Sequence, residues 1–472
     1  PVAVAVAVSD GETDEDEPAA VHYARIRGDR DEKLEQLEAV HAFEDVDWDE
    51  CPEDWQAPFR PAGEGAYFDW AEVTDLFPWQ RSGVKVGRTW VIAPDENTLK
   101  ERWRTFCSAP EAQKKTLFKD SPSGRKVDDT PYGMAPLIKT NPDADVPPKV
   151  RYAFRSFDRQ FLLKDRRLLD RGGPVLWRIY SEKQLFLTSL FSAPLGSGPA
   201  MTAAAHVPDL HYFRGRGGKD VIPLYRDKEA ERPNIAPGLL QELSGALDMV
   251  VTAEDVAAYV YGLLAHPAYT ERFRDELESR EVRAPLTRRP ELFRQVGEVG
   301  RELLWLHTYG ERFVPEGWTK GEVPDGEAQC TGRMPPEEEK YPEGYDYNPD
   351  TQTLFVGEGQ FEPVAPEIYE FDVSGLKVVQ SWLDYRMKEG AGRTSSPLDE
   401  IRPKQWTGQF TTELLELLWV LEATVERYPR QRELLEEVVN GPLFAAEELP
   451  EVPDEARKPP RKNQGSSLFA GQ

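Results

Sequence analysis

Apolar side chains recur at helical spacing in several parts of the chain. The clearest stripe follows Thr252 and Asp255, which are spaced as a capping box and predict a helix that begins there and ends or kinks at Pro267. Its apolar face consists of Val256, Val260, Leu263 and Leu264. Two further stripes consist of Phe293, Val296, Gly300, Leu303 and Leu304, and, over 411–428, of Leu414, Leu417, Leu418, Leu421 and Val425. Shorter helices are predicted over 30–43, from Leu34, Leu37, Val40 and Phe43, and over 96–106.

Residues 149–226 follow a different pattern, in which short apolar and aromatic runs are separated by glycine- and proline-rich turns. The predicted strands have the sequences YAFRSFD, VLWRIY, LFLTSLF and VIPLYR. Two more strands are predicted over 353–356 and 368–373. At the start of the chain, valines alternate with alanines over 2–8, which is typical of a strand buried on both faces of an α/β sheet. We therefore expect the chain to begin inside a sheet that another piece of protein completes.

Charge is unevenly distributed along the sequence. The whole chain has a formal net charge of -26, yet residues 149–178 hold nine Lys or Arg against three Asp. A local basic patch in an acidic chain is typical of an anion site, most simply for a phosphate backbone. The other interpretation is a cationic surface that forms salt bridges with the acidic remainder.

Arginines and aromatic residues are interleaved within this patch. Arg151, Arg155 and Arg159 recur every four residues. On a strand, Tyr152 and Phe154 would share one face and Arg151 and Arg155 the other, so rings can pack inward while guanidinium groups face phosphates or base edges. The alternative is that the rings form core and the arginines are only solvated. A second, glycine-flanked basic loop contains Arg214, Arg216 and Lys219.

Sequence motifs of several enzyme classes are missing. The chain contains no GxxxxGK[ST], HExxH or GxSxG, and no [DNS]PP[YFW] of the kind that amino-methylating enzymes use. Cys51, Cys107 and Cys330 lie far apart and the six histidines are scattered, so we expect neither a disulfide nor a metal site. Glycine-rich turns at 196–198 and 215–218 are only weak candidates for a cofactor loop. We therefore assign no catalytic residue, and the cofactor-binding residues stay unknown.

Apolar runs in this sequence stop short of the roughly 18 residues that a membrane-spanning helix needs. The apolar start of the chain is short and lacks the basic flank of a signal peptide. We expect a cytoplasmic protein without a membrane partner.

Five segments, taken in order, resemble a known family. They are PWQRSGVKVGRTWVI, YAFRSFDRQFLLKDRRLLDRGGP, VIPLYRD, VTAEDVAAYVYGLLAHPAYTERFRDEL and TLFVGEGQFEPVAPEIYEFDVSGLKVVQSWLDYR. Together they resemble the C-terminal, target-recognition part of Type ISP-like restriction-modification enzymes and related adenine-specific DNA methyltransferases. The fourth segment is the most specific match. The initial PVAVAVAVS resembles a late strand of the methylase core, so the resemblance covers about residues 1–428.

The resemblance implies an α/β and α+β multidomain fold: the end of a methyltransferase-type sheet, then a mixed, β-rich target-recognition region with helical segments. Residues 1–119 would belong to the methyltransferase core and 120–148 would be a linker. Residues 149–235 would form a β-rich DNA-recognition segment and 236–445 its helical and mixed part. The tail 446–472 is predicted to be disordered, because it is rich in proline and charge.

The function implied is DNA target recognition for S-adenosylmethionine-dependent adenine-N6 methylation in a restriction-modification or phage-defence system. We expect the catalytic and S-adenosylmethionine-binding motifs upstream or on a methylase-bearing partner chain. The other expected partner is double-stranded DNA. Residues expected to contact DNA are Arg151, Arg155, Arg159, Lys164, Arg166, Arg167 and Arg178, then Arg214, Arg216 and Lys219, and near the junction with the catalytic half Arg81, Lys85 and Arg88. The alternative is a non-catalytic interaction subunit or an acidic, DNA-mimic-like protein of a defence complex.

Overall fold

The computed structural model describes residues 22–24, 26, 30–50, 66–121, 124–191, 193–213, 221–335, 337–388 and 396–461. The chain divides into two compact units, Pro1–Phe68 and Asp69–Gln472. In the first unit, β1 (His22–Tyr23) pairs antiparallel with β2 (Asp49–Glu50), and α1 (Arg30–Glu38) lies between them in sequence. The strand predicted over 2–8 lies outside the described residues, so the methyltransferase-type sheet stays a prediction.

Helix α1 is shorter and less buried than its apolar pattern predicts. It ends at Glu38 rather than near residue 43. Leu34 and Leu37 are 47% and 54% exposed, and Val40 beyond the helix is also exposed. Because seven of the nine residues in RDEKLEQLE are polar or charged, this helix has little apolar area to bury.

The second unit combines short strands with helices of very different length. Its helices are α2 (Val73–Leu76), α3 (Glu96–Ser108), α4 (Glu111–Phe118), α5 (Pro174–Ile179), α6 (Leu239–Ala246), α7 (Ala253–Leu264), α8 (Pro267–Arg272), α9 (Pro290–His307), α10 (Pro366–Tyr369), α11 (Val378–Asp384) and α12 (Gly408–Val439). Its strands are β3 (Ala71–Glu72), β4 (Ile92–Ala93), β5 (Lys149–Arg155), β6 (Asp158–Leu163), β7 (Phe186–Thr188), β8 (Thr202–Ala204), β9 (Val221–Pro223), β10 (Arg283–Ala284), β11 (Gln329–Gly332), β12 (Tyr345–Asn348), β13 (Thr353–Val356), β14 (Gly359–Glu362), β15 (Asp372–Val373) and β16 (Leu376–Lys377).

These strands form several small antiparallel sheets. Two sheets have three strands, in the orders β4-β6-β5 and β8-β7-β9. A four-stranded sheet has the order β11-β14-β13-β12, and the pairs β10-β3 and β15-β16 complete the set in the part of the chain that is described. Small sheets interspersed with helices agree with the α+β part of the expected fold class.

Two hydrophobic clusters organise the second unit. The first packs β4, β5 and β6 against α3 and contains Trp90, Trp103, Phe106, Phe118 and Tyr152. The second packs α9, α11 and α12 against β13 and β14, and contains Trp305, Leu354, Phe361, Trp382 and Phe410. Large aromatic side chains dominate both clusters, and each buries a large apolar area.

The predicted capping box at the start of α7 is confirmed. Thr252 Oγ1 accepts a hydrogen bond from the Asp255 N–H at 3.2 Å, and Asp255 Oδ2 accepts one from the Thr252 N–H at 2.9 Å. The stripes of α7 and α9 are buried as predicted. Between the two helices, the rings of Tyr259 and Phe293 stack with centroids 4.5 Å apart.

Three other predicted elements were wrong in type or extent. VLWRIY is not a strand but lies largely in α5, which starts at Pro174; a short apolar run does not distinguish strand from helix, and proline is favoured at the first helical position. Part of the strand predicted over 368–373 is helix α10, which likewise starts at a proline. Helix α12 continues past Pro429 to Val439, because Leu434, Leu435 and Val438 bury a further apolar face there.

Two stretches predicted to be irregular are packed against the rest of the second unit. Val127 and Leu137, from the predicted linker, are buried in the first hydrophobic cluster. In the predicted tail, the carbonyls of Ala456 and Pro460 accept hydrogen bonds from Arg226 and Arg178 at 2.8 and 2.9 Å. Residues 446–461 are therefore held by specific contacts, and 462–472 lie outside the described part. The predicted domain boundaries themselves stay predictions.

The close approach of α7 and α9 gives a test with a control in the same helix. A Cβ added at Gly300 would lie 1.8 Å from the Ala258 carbonyl oxygen, whereas a Cβ at Gly297 would meet nothing within 4 Å. Gly300→Ala should therefore destabilise the protein by about 1–3 kcal/mol, from overpacking. Gly297→Ala should stabilise it by up to about 1 kcal/mol, because alanine is the better helix former. Urea unfolding followed by circular dichroism measures both, and equal effects would contradict the helix contact.

Candidate nucleic-acid interface

The β5–β6 hairpin carries the three regularly spaced arginines of the basic patch. Its register pairs Tyr152 with Gln160 and Arg155 with Asp158, with an irregularity after Ala153. Tyr152 and Phe154 are buried, as predicted, but Ala153 is buried as well, so the strand is covered on both faces over these residues. Burial and the negative charge of Asp209 raise the pKa of Tyr152, whose hydroxyl donates to Asp209 Oδ2 at 2.8 Å.

All three hairpin arginines are ion-paired with carboxylates of the second unit. The pairs are Arg151–Glu413, Arg155–Asp209 and Arg159–Glu416, with N–O distances of 2.6, 3.0 and 2.7 Å. The arginine side chains are 27%, 18% and 18% exposed. The contacts thus follow the interpretation in which the patch forms salt bridges with the acidic remainder, and a role of these arginines on DNA stays a prediction.

The carboxylate that binds Arg151 is shared with a buried arginine. Arg386 Nη2 lies 3.6 Å from Glu413 Oε2 and 2.9 Å from Asp158 Oδ1, and the side chains of Arg386 and Asp158 are 0% and 2% exposed. Burial alone would raise the pKa of Glu413, but the charges of Arg386 and Arg151 outweigh it and hold that pKa below its ordinary value. Glu413 therefore remains a carboxylate and ties the hairpin to α11 and α12.

The rest of the patch lies after the hairpin in the sequence. Arg167 is bound by Asp165 at 2.6 Å, and Arg178 donates to the Pro460 carbonyl at 2.9 Å. Lys164 Nζ lies over the ring of Trp177, 4.6 Å from its centre, and Arg166 lies over another ring in the same way. All four residues are partly buried, as the hairpin arginines are, and the Arg167 side chain is 17% exposed. A role of these cations on DNA therefore stays a prediction too.

Among the three residues predicted near the junction with the catalytic half, Arg88 is buried and forms an ion pair inside the protein. Its side chain is 0% exposed, and Nη2 lies 3.0 Å from Asp170 Oδ1. Lys85 Nζ lies 3.9 Å from Asp170 Oδ2 and is partly exposed. Arg81 is half-buried, and its backbone pairs with Val221. The Arg88 guanidinium has no solvent contact in this structure, and a role of Arg88 on DNA stays a prediction.

Arg214, Arg216 and Lys219 of the glycine-flanked basic loop lie outside the described residues, as does the glycine-rich turn 215–218. The other weak cofactor-loop candidate, 196–198, contacts the segment around Asp372 and Ser374. A Cβ added at Gly198 would lie 2.0 Å from the Asp372 carbonyl oxygen, and the Gly196 N–H donates to Ser374 Oγ at 2.8 Å. This turn therefore packs against the β15–β16 hairpin, and a cofactor role for it stays a prediction.

The described residues contain no group of three or more His, Cys, Asp or Glu placed to hold a metal ion. Among them, no helix combines the length and apolar character needed to cross a bilayer.

One exposed aromatic cluster was missed at the sequence level. Tyr132 is 68% exposed, and its ring centre lies 4.6 Å from Arg166 Cζ and 5.8 Å from Arg125 Cζ. Arg125 and Tyr132 belong to the stretch predicted to be a linker. Arg125 and Lys126 are balanced there by Asp128 and Asp129, so composition gives no signal, and nothing in the sequence brings residues 125 and 166 together.

The chain matches the family described as the Type ISP C-terminal specificity domain over residues 75–417. This match covers more than half of the chain, which therefore belongs to that family, and the resemblance read from the sequence is confirmed. Among curated proteins, none matches this chain.

Solved structures share the fold at low sequence identity. They include a DrdV–DNA complex (18% identity, TM-score 0.56, 87% of this chain and 42% of that one). A nuclease-deletion mutant of the Type ISP restriction-modification enzyme LlaGI with a DNA substrate mimic shows 17% identity, a TM-score of 0.54 and coverage of 90% and 33%. The ATP-dependent Type ISP restriction-modification enzyme LlaBIII bound to DNA shows 16% identity and a TM-score of 0.57, and the match covers 92% of this chain and 28% of that one. The chain thus spans less than half the length of each of these structures.

The buried carboxylate at the junction gives a stability test. Asp170→Ala leaves Arg88 as an unpaired buried cation and should lower the free energy of unfolding by about 3–5 kcal/mol. The control is Asp128→Ala: Asp128 is 52% exposed, its pair with Lys115 is 3.8 Å long, and its loss should cost less than about 1 kcal/mol. Guanidinium unfolding followed by tryptophan fluorescence measures both. A cost for Asp170→Ala no larger than for the control would show that Arg88 does not depend on this partner.

Proposed function

We propose that this chain reads the DNA target sequence of a Type ISP restriction-modification enzyme. The observation that carries the proposal is the match of residues 75–417 to the Type ISP C-terminal specificity domain family. The three solved structures that share the fold contain DNA or a DNA substrate mimic. Sequence readout needs base contacts on a surface that phosphate contacts hold in register.

Clustered cations on the surface support a local DNA-binding site on an otherwise acidic protein. A net charge of -26 repels a polyanion on average, so DNA binding has to come from these clustered cations. Lys164, Arg166, Lys126 and Arg171 are exposed or partly exposed around the end of the patch. The hairpin arginines would contribute only if phosphates compete with Glu413, Asp209 and Glu416 for them.

The finer proposal is that this recognition directs adenine-N6 methylation from S-adenosylmethionine after base flipping, within cytoplasmic restriction or phage defence. S-adenosylmethionine would supply the methyl group on a methylase-bearing upstream domain or partner chain. No residue of this chain is assigned to hold it.

A second candidate is an acidic interaction subunit that does not bind DNA. The net charge and the carboxylate partners of all three hairpin arginines favour it. The two candidates differ in one outcome, namely whether the chain selects a DNA sequence.

Target recognition predicts that the chain enriches one motif from a pool of random duplexes. The full chain is incubated with the pool, and bound DNA is recovered over several rounds and sequenced. The winning motif should bind at least about 10³-fold more tightly than random duplex at the same salt concentration. Recovery without an enriched motif contradicts the proposal, and a chain that retains no duplex at low salt favours the acidic interaction subunit.

Directed methylation predicts a chemical mark at that same motif. In cells that carry the chain together with its methylase-bearing part, an adenine of the selected motif should be N6-methylated throughout the genome. Single-molecule sequencing detects the mark, and a strain from which this chain is deleted is the control. Methylation that persists unchanged in the deletion strain would contradict the role of this chain.

A further inference from the structure

Tyr132 holds a conformation that the hydrophobic core does not explain. Its backbone is in the left-handed region, with φ 59° and ψ 25°, which residues other than glycine, asparagine and aspartate rarely adopt. The side chain is 68% exposed. A residue held in an uncommon backbone conformation with its ring in solvent suggests a binding role.

Two guanidinium groups accompany this ring. Arg166 Cζ lies 4.6 Å and Arg125 Cζ 5.8 Å from the ring centre, both within the range of cation–π attraction. Both guanidinium groups therefore lie beside the same ring, although residues 125 and 166 are far apart in sequence.

A buried carboxylate fixes the loop that carries Arg125. Asp170 Oδ1 accepts the backbone N–H of Arg125 at 2.9 Å, and the Arg125 Nε–H donates to the Leu169 carbonyl at 3.3 Å. The Arg125 carbonyl in turn accepts from Arg88 Nη2 at 3.2 Å. The backbone runs so close to Asp170 that a Cβ at Gly124 would lie 2.2 Å from its carboxyl carbon. Arg125 is thus positioned before any ligand arrives.

Preorganised guanidinium groups beside each other bind phosphate oxygens well, because each presents several N–H donors in one plane. The arrangement is an open surface rather than a cavity, as the exposure of Tyr132 indicates. Small phosphate ligands are usually enclosed in concave sites, whereas an open cationic surface suits an extended polyanion. Lys126 and Arg171, both exposed, lie next to the segments that supply this surface and add positive charge.

We propose that Arg125, Tyr132 and Arg166 form a clamp for the phosphate backbone of duplex DNA, in which the tyrosine ring holds the two guanidinium groups and the guanidinium groups bind phosphate. This inference rests on the proposed function. Arg166 is already among the residues expected to contact DNA from the sequence, whereas Arg125 and Tyr132 are new. The clamp contributes affinity without sequence preference, since phosphates carry no base identity.

Binding of the full chain to a random-sequence duplex across a salt series tests the clamp. Arg166→Ala should lower the magnitude of the slope of log K against log salt by about 0.9, the value for one phosphate contact on duplex DNA. Tyr132→Ala should weaken binding about twofold to fivefold at low salt, because the guanidinium groups lose their support. Tyr132→Phe keeps the ring and should bind like the wild type.

Arg294→Ala is the matched control, since it removes the same charge from an exposed position on α9, where Arg294 pairs with Glu291. If Arg166→Ala and Tyr132→Ala change the affinity and slope no more than this control, the clamp is overturned while target recognition stands. If Tyr132→Phe weakens binding as much as Tyr132→Ala, the hydroxyl and not the ring is responsible, which also overturns it. A wild-type chain that binds no duplex at low salt overturns both the clamp and the proposed function.

A preference for single strands separates the clamp from base stacking. If Tyr132→Ala weakens binding to single-stranded DNA much more than to duplex, with an unchanged salt slope, the ring stacks on bases and the clamp is wrong.

A merely structural role of Tyr132 would lower the unfolding midpoint without changing the salt slope, and would overturn the clamp as well.

Discussion

The ionic network around Arg386 is the constraint on which the second unit depends. This guanidinium is fully buried and binds Asp158 of β6, while its neighbour Glu413 of α12 also binds Arg151 of β5. Removing these charges from water is costly, and the cost is offset only when every partner is in place. The network therefore favours a single docking of the hairpin against α11 and α12, where apolar contacts alone would tolerate small shifts.

The same network limits what the hairpin can offer to DNA. A guanidinium already bound to a carboxylate must exchange that partner for a phosphate, so it gains less than a preorganised, partly exposed one. Arg151, Arg155 and Arg159 are in the first state. Arg125, whose Nε donates to the Leu169 carbonyl and whose guanidinium group lies beside the ring of Tyr132, comes closer to the second. DNA binding by this acidic chain thus depends more on how its arginine side chains are paired and positioned than on the number of cations.

Buried carboxylates have a second structural use at Asp170. This residue joins the segment of Lys85 and Arg88 to the loop of Arg125. Its surroundings are close-packed backbone, as the contact at Gly124 indicates. Asp170 and Glu413 together give part of the excess of acidic residues a structural explanation, because both bind arginines inside the second unit.

The sequence alone determined the helices with long apolar stripes, the capping box at Thr252 and the family, since these depend on local spacing and on ordered motifs. It did not determine whether VLWRIY is strand or helix, because a six-residue apolar run fits both and Pro174 decided in favour of α5. Only the tertiary structure showed that Arg88 is buried and that Arg125 meets Arg166 at Tyr132. Burial and pairing between residues distant in sequence arise from packing, and composition cannot distinguish a solvated arginine from one that is already bound.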